Sequence, residues 1–139
     1  MIHDTLDHLH FYAATIANLE QVHALLEPGA QIAGGKLYYT NRVTSPFNGT
    51  FLMHSSKVCV LLTLEGSQLL CTTYRRKDRE GHVDEKGFLD VADSAVTDVI
   101  RSEDQTFTVF MPGEPFASGI QGEEGPSSVK QLLILLDEV

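Results

Sequence analysis

The sequence is short of positive charge. Ten Lys and Arg stand against nineteen Asp and Glu in 139 residues, a formal net charge of −9. Nucleic-acid affinity comes largely from Lys and Arg neutralising phosphates, so this balance disfavours such a partner. It equally disfavours anionic membrane surfaces. Cysteine is scarce: only Cys59 and Cys71 occur, both in apolar, strand-like stretches, where buried free thiols are expected rather than a disulfide. Long apolar runs are missing. The longest, Val58 to Leu62 and Leu132 to Leu136, are far below the roughly 20 residues that a membrane-spanning helix requires. No basic stretch precedes an apolar run at the N-terminus, so no secretory leader is expected and the expected location is the cytoplasm. The Asn48-Gly49-Thr50 sequon is then a chance match. Absent too are a phosphate-cradling glycine loop, paired-Cys zinc spacing, a His-Glu-x-x-His helix and a nucleophile elbow.

What is present reads as a globular chain. The apolar share is 42% and the charged share 21%, compositions that fold rather than stay disordered. One domain spanning 1–139 is expected from the length. Leu9, Ala13, Ile16, Leu19, Val22 and Leu26 recur at helical spacing, which predicts a helix over about 4–26. Asp4 or Asp7 would cap its start, and Glu27-Pro28-Gly29 would end it. His8 and His10, two apart on that helix, do not share a face and read as solvated.

After Gly29, short β-like runs alternate with turn signals. Strands are expected over Lys36 to Val43, Val58 to Leu64, Gln68 to Tyr74, Thr106 to Met111 and Gln131 to Leu136. The second and third flank Glu65-Gly66 and read as a hairpin. The last is apolar on both faces, as a central, doubly covered strand would be. Tyr74 to Lys86 mixes both signs of charge and reads as an exposed loop. One helix followed by many strands with short turns predicts a β-sandwich or open barrel.

Three segments carry a resemblance. Leu52-Met53-His54-Ser55-Ser56-Lys57-Val58-Cys59-Val60-Leu61-Leu62-Thr63-Leu64-Glu65-Gly66 is similar in layout to the Glu-Ala-His-Arg-Lys-Tyr-Ile-Asp-Ile-Gln-Tyr-Val-Leu-Glu-Gly signature of the YhcH/YjgK/YiaL family, which includes the small subunit of the evolved β-galactosidase. Phe107 to Ala117, with Met111-Pro112-Gly113-Glu114 at its centre, looks like the family's Phe-Phe-Pro-Gly-Asp-x-His-x-Pro. Val129 to Ile134 resembles its Val-Lys-Lys-Val-Val-Val strand. With the N-terminal helix pattern, the similarity covers essentially the whole chain, which on this resemblance looks like a divergent member.

The resemblance implies a mainly β fold, a cupin-like antiparallel β-sandwich (double-stranded β-helix), with an N-terminal α-helical segment, 1–28, packed on it. It also implies a pocket metal and an involvement in sugar chemistry, including interconversion of sugar forms. The family's ligand positions fall on Leu52, His54, Cys59 and Phe116, with Leu61 where a Gln is usual. Only His54 survives as a standard ligand, and Cys59 could join it as a thiolate. One imidazole does not replace the waters that a divalent cation gives up. No cofactor is therefore expected, with a zinc-like divalent metal on His54 and Cys59 as the alternative.

Positions 59, 61 and 63 share one strand face, so the expected pocket is largely apolar: Tyr38, Leu52, His54, Cys59, Leu61 and Phe116. Tyr38 and Arg42 point the same way along their strand. His54 and Glu114 are the candidate acid–base pair, and His82 is the candidate replacement ligand from the charged loop. Three functions follow: a binding protein for a small molecule, sugar or sugar-derived, at a degenerate metal site; an active sugar isomerase or anomerase using His54; or a non-catalytic regulatory or accessory subunit. A homodimer is compatible with each, because sheet edges pair readily.

Overall fold

The computed structural model describes residues 1–13, 15, 16, 19, 22, 35–73, 83–92 and 95–136. Among these the chain is mainly β, with ten strands: β1 (Ile2–Thr5), β2 (Gly35–Val43), β3 (Thr50–His54), β4 (Val58–Glu65), β5 (Gln68–Thr72), β6 (Phe88–Ala92), β7 (Asp98–Ser102), β8 (Thr106–Phe110), β9 (Phe116–Ile120) and β10 (Ser128–Leu136). They form two sheets, β1-β8-β4-β10-β2 and β6-β3-β9-β5-β7, and the strand ladders are antiparallel. Without β1 and β6, the two orders are β2-β10-β4-β8 and β3-β9-β5-β7. First strand beside last, third beside sixth, second beside seventh: this is the double Greek key of a jelly roll, the architecture that cupins share. β1 extends the free edge of β8 and β6 that of β3.

Strand β10 lies between β4 and β2, as its two-faced apolar pattern predicts. Leu132, Ile134 and Leu136 face outward, into a cluster with Val60, Leu62, Phe107 and Val109 that Leu6, Leu9, Ile16, Leu19 and Val22 cover. Leu133 and Leu135 face the second sheet, where Cys59, Leu61, Leu70, Phe88, Phe110 and Phe116 fill the interior. Val58 through Thr63 are all buried because both faces of β4 are covered. Both cysteines are buried and free.

Two expectations are corrected. The helix does not begin at Asp4: Ile2–Thr5 is a strand and Leu6–Phe11 a 3₁₀ helix. The open edge of β8 pairs residues 2–5, and that ladder outweighs local helical preference. Neither aspartate caps the helix. Thr5 occupies the N-cap without a side-chain bond. The Asp4 carboxylate instead accepts from the Thr5 amide (2.7 Å), the His8 ring (2.8 Å) and the Tyr12 hydroxyl (2.8 Å). Most of the expected helix beyond Ala13, Leu26 and its terminator included, lies outside the described residues.

The other correction concerns β4 and β5, which do not pair. They belong to different sheets, so Glu65-Gly66 is a corner of the sandwich and not a hairpin turn. Both flanks of β4 are already taken by β8 and β10, which leaves β5 no edge to join. Gly66 turns that corner at φ +89°, packed against the Ser128 carbonyl, where a side chain would collide.

Candidate functional site

His54 ends β3 and is 5% exposed. The chain turns back at once into β4, which brings the Ser56 and Lys57 amides onto its ring. Both donate to Nδ1, at 3.2 and 3.0 Å. Nδ1 is therefore the acceptor and Nε2 carries the proton, donated to the Lys86 carbonyl at 3.1 Å. Gly87, at φ +94°, makes that approach feasible, since a Cβ there would lie 2.5 Å from Nε2. The edge of the ring meets Phe88 at 5.2 Å. Backbone groups thus occupy both nitrogens, leaving no lone pair for a metal and no free site for proton exchange with a ligand.

The other implied pocket residues do converge, but as packing. Cys59 and Leu61 are each 1% exposed and Phe116 is 3% exposed. Phe116 stacks on Phe110 at 4.2 Å and meets Phe88 edge-on at 6.0 Å. Tyr38 packs partly buried against the same cluster, and the Lys86 ammonium sits 4.5 Å over its ring. Burial, with a smaller contribution from the Glu114 charge, pushes the Cys59 thiol up to about 12. It is a neutral core group, unsuited to ligation. Where the resemblance places a pocket, side chains fill the space.

Glu114 lies in the turn before β9. Its carboxylate accepts from the Met111 amide at 2.9 Å and pairs with the terminal amine of Met1 at 3.0 Å. The turn touches the His54 carbonyl through the Gly113 amide (2.8 Å), yet no hydrogen bond joins the Glu114 and His54 side chains. His82 lies outside the described residues. Among the described residues no group of three or more His, Cys, Asp and Glu is placed to hold a metal ion. The donor set, an imidazole with both nitrogens engaged and a high-pKa thiol, does not fit the metal that the resemblance implies.

Leu52 leads elsewhere. It is 38% exposed on the inner face of β3. There it lines a cleft of about 380 Å³ at one end of the sandwich, with Arg42 from β2, Asp90 from β6, Ser118 and Gly119 from β9, and Phe47 from the β2–β3 connection. Antiparallel pairing sets Asp90 directly beside Leu52, on the same face. In β9 a bulge sets two residues, Ser118 and Gly119, against Leu70 of β5, between the pairs Leu69–Ile120 and Cys71–Ala117. It turns the Gly119 amide inward to the Gln68 side-chain oxygen (2.7 Å). Gln68 also donates to Gln131 (3.1 Å) and Thr63 (3.2 Å), a buried polar layer beneath this end. Gly119, at φ +69°, also makes room for the Arg42 guanidinium, where any Cβ would collide.

The side chains of Arg42 and Asp90 make no ion pair or hydrogen bond to any described residue. The cleft therefore holds one unpaired charge of each sign beside an apolar wall. Arg42 also borders a second cleft of about 390 Å³, where Glu65 is already paired with Lys130 at 3.6 Å. A third, of about 610 Å³, lies by Thr72, Asp98 and the Pro112–Pro115 turn. The sequence gives Arg42 its inward direction through period-two alternation. Asp90 carries no sequence signal of its own, although Phe88 and Asp90 share a face by the same rule.

No protein-family model matches the chain, and comparison with curated proteins finds no match. Among solved structures, the chain is similar to one described as "The Substrate Binding Mode and Chemical Basis of a Reaction Specificity Switch in Oxalate Decarboxylase". The two share 10% identity at a TM-score of 0.41, over 83% of this chain and 29% of that one. The chain thus spans well under two thirds of the length of that structure. No helix among the described residues is long and apolar enough to cross a membrane.

Proposed function

We propose that the protein binds a small molecule, sugar or sugar-derived, in the cleft between Arg42, Leu52 and Asp90, and does so without metal-assisted chemistry. One observation carries the reading: an inward-facing, half-buried arginine with no partner, in a cleft of about 380 Å³ between the two sheets. Clefts of roughly 300–1,000 Å³ with an apolar wall and a few convergent polar groups are the usual form of small-ligand sites. A guanidinium left unpaired in such a cleft is a ready donor fork for a ligand oxygen. Sugar-derived ligands are preferred because of the YhcH-like layout and because Ser118, Thr50 and Asn48 add hydroxyl and amide groups to the rim. Binding is preferred to catalysis because backbone groups hold both nitrogens of His54.

The test is a thermal-shift and NMR titration with neutral sugars, sugar acids and amino sugars. The expected result is a rise in melting temperature, with shift changes confined to amides around Leu52, Asp90 and Gly119. A screen in which no compound perturbs those amides removes the reading. Equal perturbation of His54 and Cys59 would return the site to the interior.

A further inference from the structure

The two unpaired charges of the cleft restrict what can fill it. This step rests on the binding reading above and names the ligand class. Arg42 enters from the first sheet and Asp90 from the second, and both border the same space. They are not each other's partner, because no ion pair within 4.0 Å joins them. Several other charges are paired: Lys130 with Glu65, Arg101 with Glu124, the terminal amine with Glu114. Leu52 and Phe47 line the same cleft, and their side chains offer no hydrogen bond.

A purely anionic ligand would satisfy Arg42 but would set its own charge against Asp90. It would also approach a protein of net charge −9, a field that repels anions. A purely cationic ligand would satisfy Asp90 and oppose Arg42. A neutral sugar would leave the half-buried Arg42 without a counter-charge as the cleft loses water, which is costly, and would leave the exposed Asp90 to water alone. A molecule with an anionic group at one end and an ammonium at the other satisfies both and carries no net charge. We infer that the cleft takes a small zwitterion, its carboxylate on Arg42 and its ammonium on Asp90, over the apolar wall of Leu52 and Phe47. The class includes amino-sugar acids and ω-amino acids, which share this chemistry and differ in their hydroxyl groups.

The experiment measures dissociation constants by ¹H–¹⁵N NMR, read at the Gly119 and Leu52 amides. The probes are D-glucosaminic acid, D-gluconic acid, D-glucosamine, D-glucose and 5-aminopentanoic acid. Glucosaminic acid is expected to bind at least about tenfold more tightly than gluconic acid or glucosamine, as one added charge-assisted hydrogen bond gives. Arg42→Gln should bring its affinity down to that of glucosamine, and Asp90→Asn to that of gluconic acid. Arg42→Lys, which keeps the charge, should retain part of the gain and guards against misfolding of the Gln variant. 5-Aminopentanoic acid competing as strongly as glucosaminic acid would assign the recognition to the two charges; glucosaminic acid alone gaining would assign it to the charges on an amino-sugar acid frame. Equal binding of gluconic and glucosaminic acids, or indifference to Asp90→Asn, overturns the zwitterion while leaving the cleft as a binding site. No perturbation by any probe overturns both.

Discussion

Replacing His54 separates a structural ring from a functional one. The ring accepts two backbone amides and donates to one carbonyl. Each such bond contributes about 1 kcal/mol net, and a lost partner costs more where water cannot reach. His54→Ala removes all three and the edge contact with Phe88, so a loss of about 3 kcal/mol is expected, allowing for water at this nearly buried site. In a chain of this size that lowers the melting temperature by roughly 10 °C.

The conservative variants divide the loss. Asn places its side-chain oxygen where Nδ1 stood and can keep the Ser56 and Lys57 amides, so His54→Asn should cost only about 1 kcal/mol. His54→Gln reaches toward Lys86 alone and should cost about 2 kcal/mol. Gly87→Ala forces a Cβ to 2.5 Å from Nε2 at φ +94°, a destabilisation of about 2 kcal/mol or more. Combined with His54→Ala it loses the clash and keeps only the backbone strain, so the two changes should be non-additive. Urea unfolding with and without a chelator reads all of this. A His54→Ala protein within about 0.5 kcal/mol of the parent would refute the reasoning, because surface changes commonly fall in that range. So would a parent whose stability drops when a chelator is added.

Two further predictions concern titratable groups. Burial pushes the Cys59 thiol up to about 12 and the Cys71 thiol to about 11, so neither should react with a water-soluble disulfide reagent at pH 8 until the chain unfolds; rapid native-state labelling of Cys59 would contradict its place in the core. Near the N-terminus, hydrogen bonds from His8 and Tyr12 hold Asp4 at about 2, below its ordinary 3.8, and the Asp4 bond raises His8 above 6.5. The Asp4 contribution is present above pH 3.8 and lost as pH falls toward 2; the His8 contribution is complete below pH 6.5 and lost as pH rises through its raised pKa. The stability difference between the parent and His8→Ala should therefore peak between about pH 4 and 6.5 and shrink on both sides. A difference that stays flat from pH 5 to 9 would show that the pair adds nothing.

Much of the sandwich is legible in the chain because local pattern and burial agree there. Val58–Leu62 and Leu132–Leu136 are runs of β-branched and apolar residues, and each is covered on both faces. Gly35–Val43 sets Tyr38, Thr40 and Arg42 on a less exposed face than Tyr39, Asn41 and Val43, while Thr106–Phe110 is buried on both faces. The leucine-spaced N-terminal residues Leu9, Ile16, Leu19 and Val22 are buried as a stripe predicts, though the first of the segment is a strand. Cys59 and Leu61 on β4 and Phe116 on β9, which the resemblance names together, pack in one interior cluster across the two sheets.

Sequence by itself determined which residues are apolar enough to be inside, and with period two it determined which face each one takes. It could not determine which strand lies beside which, since pairing depends on edges left open by residues far along the chain. That choice turned Ile2–Thr5 into a strand on β8, split Val58–Glu65 and Gln68–Thr72 between two sheets, and brought the carbonyl of Lys86 onto His54 across 32 positions. The same choice set Arg42 and Asp90 around one cleft, each without a partner, because side chains from separate sheets meet only when the sandwich closes.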